Sequence, residues 1–447
     1  MTSDPRETLS SSPMSGLQIL AVALTVGMTA LDGFDVLSIS FASPGIAKEW
    51  GIQRDALGIV LSMELIGMAL GSVLLGGLAD RIGRRPTLLG CLVLMTAGMF
   101  MVTSVQHIPE LELWRFVTGL GIGGLLATNN AVAAEFSNLR RRNLCVSLMA
   151  IGYPIGAVLG GLIVAQLLRE HDWRSVFYFG GAITALFIPL VLLFVPESIH
   201  WLAQQQPVGA LERINRVLAR MGQGAIEALP AISGQRRKVP LKDIFAPELL
   251  AATLLCALAY FCHIVTFYFL MKWVPKIVYD MHFTASEGAR VMVWANVGGA
   301  LGGTVVGLLT QRGGLKQVTI GAMLLSAVAV ILFGRTGPDL TQLSLVCAVA
   351  GFCTNGAIVG LYAIYAQAFP TQVRATGTGF AIGTGRGGAV LGPIAAGYLF
   401  TWGYALPTVA VYMAVGSLIA AAVLAFLKLR MDPSQPASIT LFSSARS

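Results

Sequence analysis

The side chains able to do chemistry are few, and they stand where charge is costly. Asp32 and Asp35 lie in a long apolar run and are three apart, so a helix presents both on one face. Two carboxylates in poorly hydrated surroundings repel each other, and burial disfavours the charged form. At least one of them therefore holds a proton more readily than a free aspartate. A proton carrier needs that behaviour, although the pair could also serve a plain ion pair or a helix–helix hydrogen bond. Gly33 between them admits another backbone or a substrate at close range. Arg386 stands in a second apolar run, flanked by Gly383, Gly385, Gly387 and Gly388. Its guanidinium keeps its charge and grips carboxylates bidentately, so it either docks a substrate carboxylate or pairs with a helix acid. An ionisable group within a span costs about 2.5–3.5 kcal/mol on insertion scales and marks function by default.

The supporting cast is more ambiguous. Arg115 has Glu112 three residues away, so a local pair competes with a role at a binding site. Phe34, Tyr153, Phe267, Tyr268, Trp294 and Tyr362 offer stacking faces, and Asn129, Asn130, Asn296 and Asn355 offer polar tips. Membrane packing is the plainer use of most of them. His263 reads equally as a proton site or a hydrogen-bonded core residue, Arg290 as snorkelling, and Trp273 as an interfacial anchor. The six cysteines sit in or beside apolar runs without zinc-ligand spacing, and read as small buried hydrophobes. No nucleotide loop, metal constellation or nucleophile elbow is present to support an enzyme.

The elements that must hold these groups are membrane helices. The 447 residues are 55% hydrophobic and only 12% charged, against roughly 25% charged in soluble domains. Apolar runs near 17–41, 55–79, 86–105, 111–136, 143–168, 174–195, 248–271, 285–309, 317–334, 341–366, 377–400 and 405–429 are each long enough to cross a bilayer. They do not alternate as barrel strands would, so they must be helices. Residues 1–15 are polar and the first apolar run is too long for a signal sequence, so no cleavable leader is expected.

With the N-terminus placed in the cytoplasm, cytoplasmic segments collect most of the basic residues, among them Arg81, Arg84, Arg85, Arg140–Arg142, Arg236, Arg237, Lys238, Arg312, Lys428, Arg430 and Arg446. The outer loops hold only Lys48, Arg54, Arg169, Arg174, Lys272, Lys276 and Arg335. This bias puts both termini inside and accounts for the net charge of +8 without nucleic acid.

The expected organisation is a tail (1–16), a six-helix half (17–195), a cytoplasmic loop (196–246) carrying an amphipathic helix over 210–220, a second half (247–430) and a tail (431–447). The halves repeat. Gly156-Ala-Val-Leu-Gly160 recurs as Gly388-Ala-Val-Leu-Gly392, Gly67 and Gly71 as Gly299 and Gly303, and Glu135 and Arg142 as Gln367 and Arg374. Because six spans separate equivalents, the halves share one orientation, which suits a rocking transporter with its site between them.

The loop Gly76-Gly-Leu-Ala-Asp80-Arg81-Ile-Gly83-Arg84-Arg85 resembles the hallmark loop of the major facilitator superfamily, and Gly76-x3-Asp80-Arg81-x-Gly83-x-Arg85 returns in degenerate form at Gly307–Lys316. Arg115-x3-Gly119-x-Gly121, Glu135 with Arg140–Arg142, and Val195-Pro196-Glu197-Ser198 resemble that superfamily as well. Asp32-Gly33-Phe34-Asp35 and Gly385-Arg386-x-Gly388 are similar to its aromatic acid:proton symporter family. The resemblance implies an all-α membrane protein of twelve transmembrane helices in two six-helix bundles. It implies proton-coupled uptake of an aromatic carboxylate or similar organic anion by alternating access, without a cofactor, by a monomer in a bacterial inner membrane.

On that footing Asp32 and Asp35 are the expected proton-coupling residues. Arg386, Arg115, Phe34, Tyr153, Asn129 and Tyr362 are the expected substrate contacts. Spans one and four line the cavity in the family resembled, which would make Arg115 a partner of the span-one aspartates. Gly76, Asp80, Arg81, Gly83, Arg84, Glu135 and Arg142 are the expected gating machinery, with Asp80 pairing to Arg84 or capping a helix, and Glu135 latching to Arg142. A sugar or neutral-solute porter and a proton-antiport drug exporter are the competing readings of the same architecture, and a membrane sensor is a more distant one. Glu64 and Lys272 fit no part of the pattern.

Overall fold

The structure, a computed structural model, describes residues 4–231, 241–311, 314–370 and 372–427. Arg236, Arg237, Lys238, Arg312, Lys428, Arg430, Arg446 and the tail 431–447 lie outside the described residues.

A short helix α1 (Pro5–Ser11) precedes six long ones: α2 (Gly16–Trp50), α3 (Arg54–Ile82), α4 (Arg84–Val102), α5 (Ile108–Glu135), α6 (Arg142–Glu170) and α7 (Arg174–Phe194). Two short helices, α8 (Ile199–Gln205) and α9 (Ala210–Arg220), sit between the halves. Six more long helices follow: α10 (Pro247–Asp280), α11 (Ala285–Gln311), α12 (Leu315–Arg335), α13 (Leu340–Ala368), α14 (Arg374–Thr401) and α15 (Leu406–Phe426). Eleven of the twelve long helices are apolar enough to cross a membrane by composition alone. The twelfth, α14, is as long as its neighbours, but its glycines and Arg386 dilute its apolar content. The twelve-helix, two-bundle arrangement expected from the sequence is the one found, and α9 spans the amphipathic segment with Ile214, Val217 and Leu218 buried.

Two helices outrun their expected spans. α2 passes through Pro44 to Trp50, and α10 passes through Pro275 to Asp280. Proline removes one hydrogen bond from a helix without always ending it, and here burial of the surrounding turns carries both helices on. Gly51, at φ 62°, then ends α2 in the left-handed conformation that glycine adopts without strain.

The pairing of helices repeats between the halves. α2 packs on α6 as α10 does on α14, α3 on α5 as α11 on α13, and α4 on α7 as α12 on α15. Small residues permit these approaches in a medium with no hydrophobic drive between helices. Between halves, α3 lies against α14 and α6 against α11.

Both termini of the described chain lie on one face, here called proximal; the turns at 51–53, 171–173, 281–284 and 402–405 lie on the distal face. The hydrogen bonds that join the halves among the described residues fall distal to Arg386. Arg54 Nη2 donates to Asp280 Oδ2 at 3.0 Å, the Asp55 amide to Thr401 Oγ1 at 3.0 Å, and Ser62 Oγ to the Val390 carbonyl at 2.9 Å. Ser286 Oγ donates to the Ala165 carbonyl at 2.5 Å. One buried apolar cluster, including Phe41, Leu57, Trp273 and Phe400, spans both halves at this end. The distal side is shut.

Candidate transport site

Asp32 and Asp35 sit near the middle of α2 and are 1% and 0% exposed. None of their four carboxylate oxygens has a hydrogen-bond partner among the described residues. That is unusual, since a buried polar atom left unpaired costs free energy. Asp32 lies in electrostatic range of Asp35, Arg386 and Glu64, and Asp35 in range of Arg115 and Glu64. Gly33 brings α6 up to this face. A Cβ there would lie 2.0 Å from the Tyr153 carbonyl oxygen, so any larger residue would push Tyr153 away.

Arg386 sits near the middle of α14, half-buried, with no hydrogen bond or ion pair among the described residues. Tyr153, Tyr260 and Tyr268 surround it at electrostatic range together with Asp32. Tyr260 shares a 2.9 Å hydrogen bond with the hydroxyl of Tyr362, which is 43% exposed. Gly385 makes room for the Tyr260 ring, since a Cβ would fall 1.9 Å from it. A guanidinium without a protein partner among the described residues, with phenols and an unpaired carboxyl group in electrostatic range, has the chemistry to take an anion that carries an aromatic ring.

Other expected contacts lie elsewhere. Arg115 is wholly buried, and its Nη2 lies 2.6 Å from Glu64 Oε1, with a further bond of 3.1 Å to the Asp35 backbone carbonyl. Its guanidinium also stacks 5.4 Å over the Phe177 ring. It is therefore occupied by Glu64 and not by Glu112; sequence distance favoured the local acid, but the small residues between α3 and α5 bring Glu64 closer. Phe34 packs inside the first half, edge-on to Phe179 at 5.4 Å, instead of facing Arg386. Asn129 ties α5 to α2 through the Thr25 carbonyl (2.8 Å) and Thr29 Oγ1 (2.9 Å). His263 bonds Ser417 Oγ and the Thr354 carbonyl, both at 2.9 Å, as a core residue does. Trp273 is no interfacial anchor: it is 1% exposed and donates to the Pro393 carbonyl at 3.1 Å.

Glu64 and Lys272, to which the sequence alone assigns no role, are both 0% exposed and meet across the halves at 3.5 Å. One available signal was the four-residue rhythm Tyr268, Lys272, Lys276, Asp280, which lines a single face of α10.

On the proximal face the loop between α3 and α4 is tightly tied. Arg84 clamps Asp80 Oδ1 at 2.7 Å and Glu135 Oε1 at 3.0 Å. Glu135 thus pairs with Arg84 where Arg142 is expected, since the Arg84 guanidinium reaches it at 3.0 Å and no Glu135–Arg142 pair forms among the described residues. Gly83 adopts φ 112°, and a Cβ there would strike the Glu197 carboxylate. That carboxylate accepts from the Arg84 amide at 2.9 Å and the Arg85 amide at 3.3 Å, capping the positive end of α4. Trp201 Nε1 donates to the Asp80 carbonyl at 3.0 Å. A Cβ at Gly76 would stand 3.0 Å from the Ala127 side chain of α5, and Arg81 is exposed.

A family model described as Major Facilitator Superfamily matches residues 25–295 and 256–445. The chain is 30% identical over 408 residues to the gallate transporter of Pseudomonas putida, covering 90% of each chain. It is 30% identical over 395 residues to the 4-hydroxybenzoate transporter PcaK of the same species, covering 87% of this chain and 88% of that one. Among solved structures, a bacterial homologue of the human lysosomal transporter Spinster superposes with a TM-score of 0.72 at 17% identity, over 92% of this chain and 97% of that one. The chain belongs to the Major Facilitator Superfamily. It is a multi-pass membrane transporter, not an enzyme.

Proposed function

We propose that the protein is a proton-coupled symporter that imports an aromatic carboxylate by alternating access. The observation that carries this reading is Arg386: a half-buried guanidinium without a protein partner among the described residues, ringed by Tyr153, Tyr260 and Tyr268 and facing the unpaired Asp32. Its fork suits a carboxylate and its surroundings suit an aromatic ring. Two relatives are named for gallate and 4-hydroxybenzoate, which are compounds of that kind.

Coupling has a physical motive. A monoanion entering against a potential of about 100 mV works against roughly 2.3 kcal/mol, and one accompanying proton cancels the charge. Asp32 and Asp35 are the groups assigned to that proton, and the proton gradient is the only driving force the reading needs. The basic proximal face is the cytoplasmic one on the positive-inside rule; with the distal side shut, the structure then corresponds to the inward-facing half of the cycle. A monomer in a bacterial inner membrane completes the reading.

The test is uptake of labelled benzoates, hydroxybenzoates, phenylpropionates, aliphatic acids and sugars by proteoliposomes under an imposed pH gradient. Acid-driven accumulation restricted to the aromatic acids is the expected result. Accumulation of a sugar in their place, or uptake indifferent to the gradient, would overturn it.

A further inference from the structure

Lys272 has no part in the reading above, and its surroundings are not those of a snorkelling lysine. It belongs to α10, in the second half, yet both its polar partners among the described residues belong to the first. Its Nζ donates to the Val36 carbonyl of α2 and lies 3.5 Å from Glu64 Oε2 of α3. One turn further along α10, Lys276 is neutralised by Asp280 of its own helix. Lys272 is neutralised only across the interface.

That difference matters when the halves rock. The Arg115–Glu64 pair, 2.6 Å apart, lies within the first half and survives a rigid-body movement. The contacts of Lys272 do not, because parting the distal ends draws α10 away from α2 and α3. With Lys272 seated, the pocket holds two acids, Glu64 and Asp35, and two cations, Arg115 and Lys272. With Lys272 withdrawn, two acids face one cation. Loss of a neighbouring positive charge favours the neutral form of an acid; Lys272 neighbours Glu64 directly, and Glu64 lies in electrostatic range of Asp35, whose two oxygens are unpaired. The other titratable or charged groups around the two acids are Asp32 on α2, Cys91 on α4, Tyr153 on α6, Tyr268 on α10 and Arg386 on α14. From α7 the pocket meets Phe177 and Gly180.

We propose that Lys272 is a mobile counter-charge that exchanges with the transported proton, seated on Val36 and Glu64 when the distal side is shut and withdrawn when it opens. In its absence Asp35 or Glu64 takes a proton from the distal solution. When the halves close again, the returning ammonium displaces that proton towards the proximal side. Nothing is oxidised or reduced; one proton binds a carboxylate oxygen on one face and leaves it on the other. The inference rests on the proton-coupled reading and adds to it the residue that makes coupling obligatory.

The test follows the gate and not the substrate. The full-length protein, reconstituted with spin labels at exposed distal positions Gln53 and Trp402, is titrated without ligand by double electron–electron resonance. In the wild type the distal-open fraction is expected to rise about threefold between about pH 8 and about pH 5.5. Lys272→Gln is expected to be more open throughout and flat with pH, while Lys272→Arg, which keeps the charge, is expected to keep the response. A flat wild type, a Lys272→Gln protein that still responds like the wild type, or a Lys272→Arg protein as flat as the glutamine variant would each overturn the exchange. If Lys272→Gln does not purify as a folded protein, Glu64→Gln decides the matter: it removes the charge on which Lys272 sits, so opening must increase, and wild-type behaviour would overturn the lock. Wild-type uptake that ignores a pH gradient would instead remove the transport reading, and it is measured separately.

Discussion

Asp32 and Arg386 stand in electrostatic range of one another in opposite halves, and each lacks what the other could give. Neither carboxylate oxygen of Asp32 has a hydrogen-bond donor, and Arg386 has no acceptor among the described residues. An apolar residue at an unpaired position inside a membrane bundle would be more stable, so an ionisable group there is a functional hypothesis by default. Asp32→Asn removes the titratable group while keeping size and polarity. It is expected to abolish acid-driven accumulation with membrane insertion intact, and wild-type pH dependence of uptake in the variant would remove the coupling role. Arg386→Gln loses a charge-assisted pair of hydrogen bonds, about 1.5–3 kcal/mol or roughly tenfold to a hundredfold in affinity. Competition by a benzoate and by its benzamide separates the readings: the acid should lose far more than the amide, and equal losses would make the arginine structural.

At the scale of elements, the site depends on how closely helices approach. α2 and α6 meet at Gly33, where Tyr153 presents its carbonyl to the α2 backbone. Gly33→Val inserts a branched side chain into that contact, and overpacking of this kind costs about 1–3 kcal/mol. A lower melting temperature in detergent together with weaker aromatic-acid binding is expected, because Tyr153 shifts with α6. Unaltered affinity in a destabilised protein would show that Tyr153 is not a substrate contact. The proximal loop is stiffened in a different way, by the Glu197 cap on α4 and the Arg84 clamp to Asp80 and Glu135. These ties hold three helices of one half as a unit, which a rocking movement requires.

For the whole molecule, the distal contacts are the ones that must break in each cycle. The Asp55 amide lies 3.0 Å from Thr401 Oγ1, across the interface. Replacing both residues with cysteine should allow a disulfide that holds the distal side shut. Uptake is expected to stop under oxidation and return with reductant, and transport continuing at full rate through the oxidised protein would exclude opening on this side. The α3–α14 and α6–α11 seams are related by the internal repeat, so the halves meet along matching pairs of helices.

Much of this was legible in the chain. Length and apolarity fix the helices, because lipid leaves a backbone no other way to satisfy its hydrogen bonds, and the common offset between Gly156–Gly160 and Gly388–Gly392 fixes the two halves. The rarity of charge in those helices singled out Asp32, Asp35 and Arg386. Beyond the local Asp80–Arg84 pair, the sequence could not say who pairs with whom. Arg115 chooses Glu64 over the nearer Glu112, Glu135 chooses Arg84 over Arg142, and Phe34 turns into its own bundle. Lys272 reaches Glu64 over an interval of 208 residues. Helical periodicity tells which residues share a face; only the packing of one helix on another decides what that face meets, because ion pairing depends on distances of a few ångströms between segments that the chain order leaves far apart.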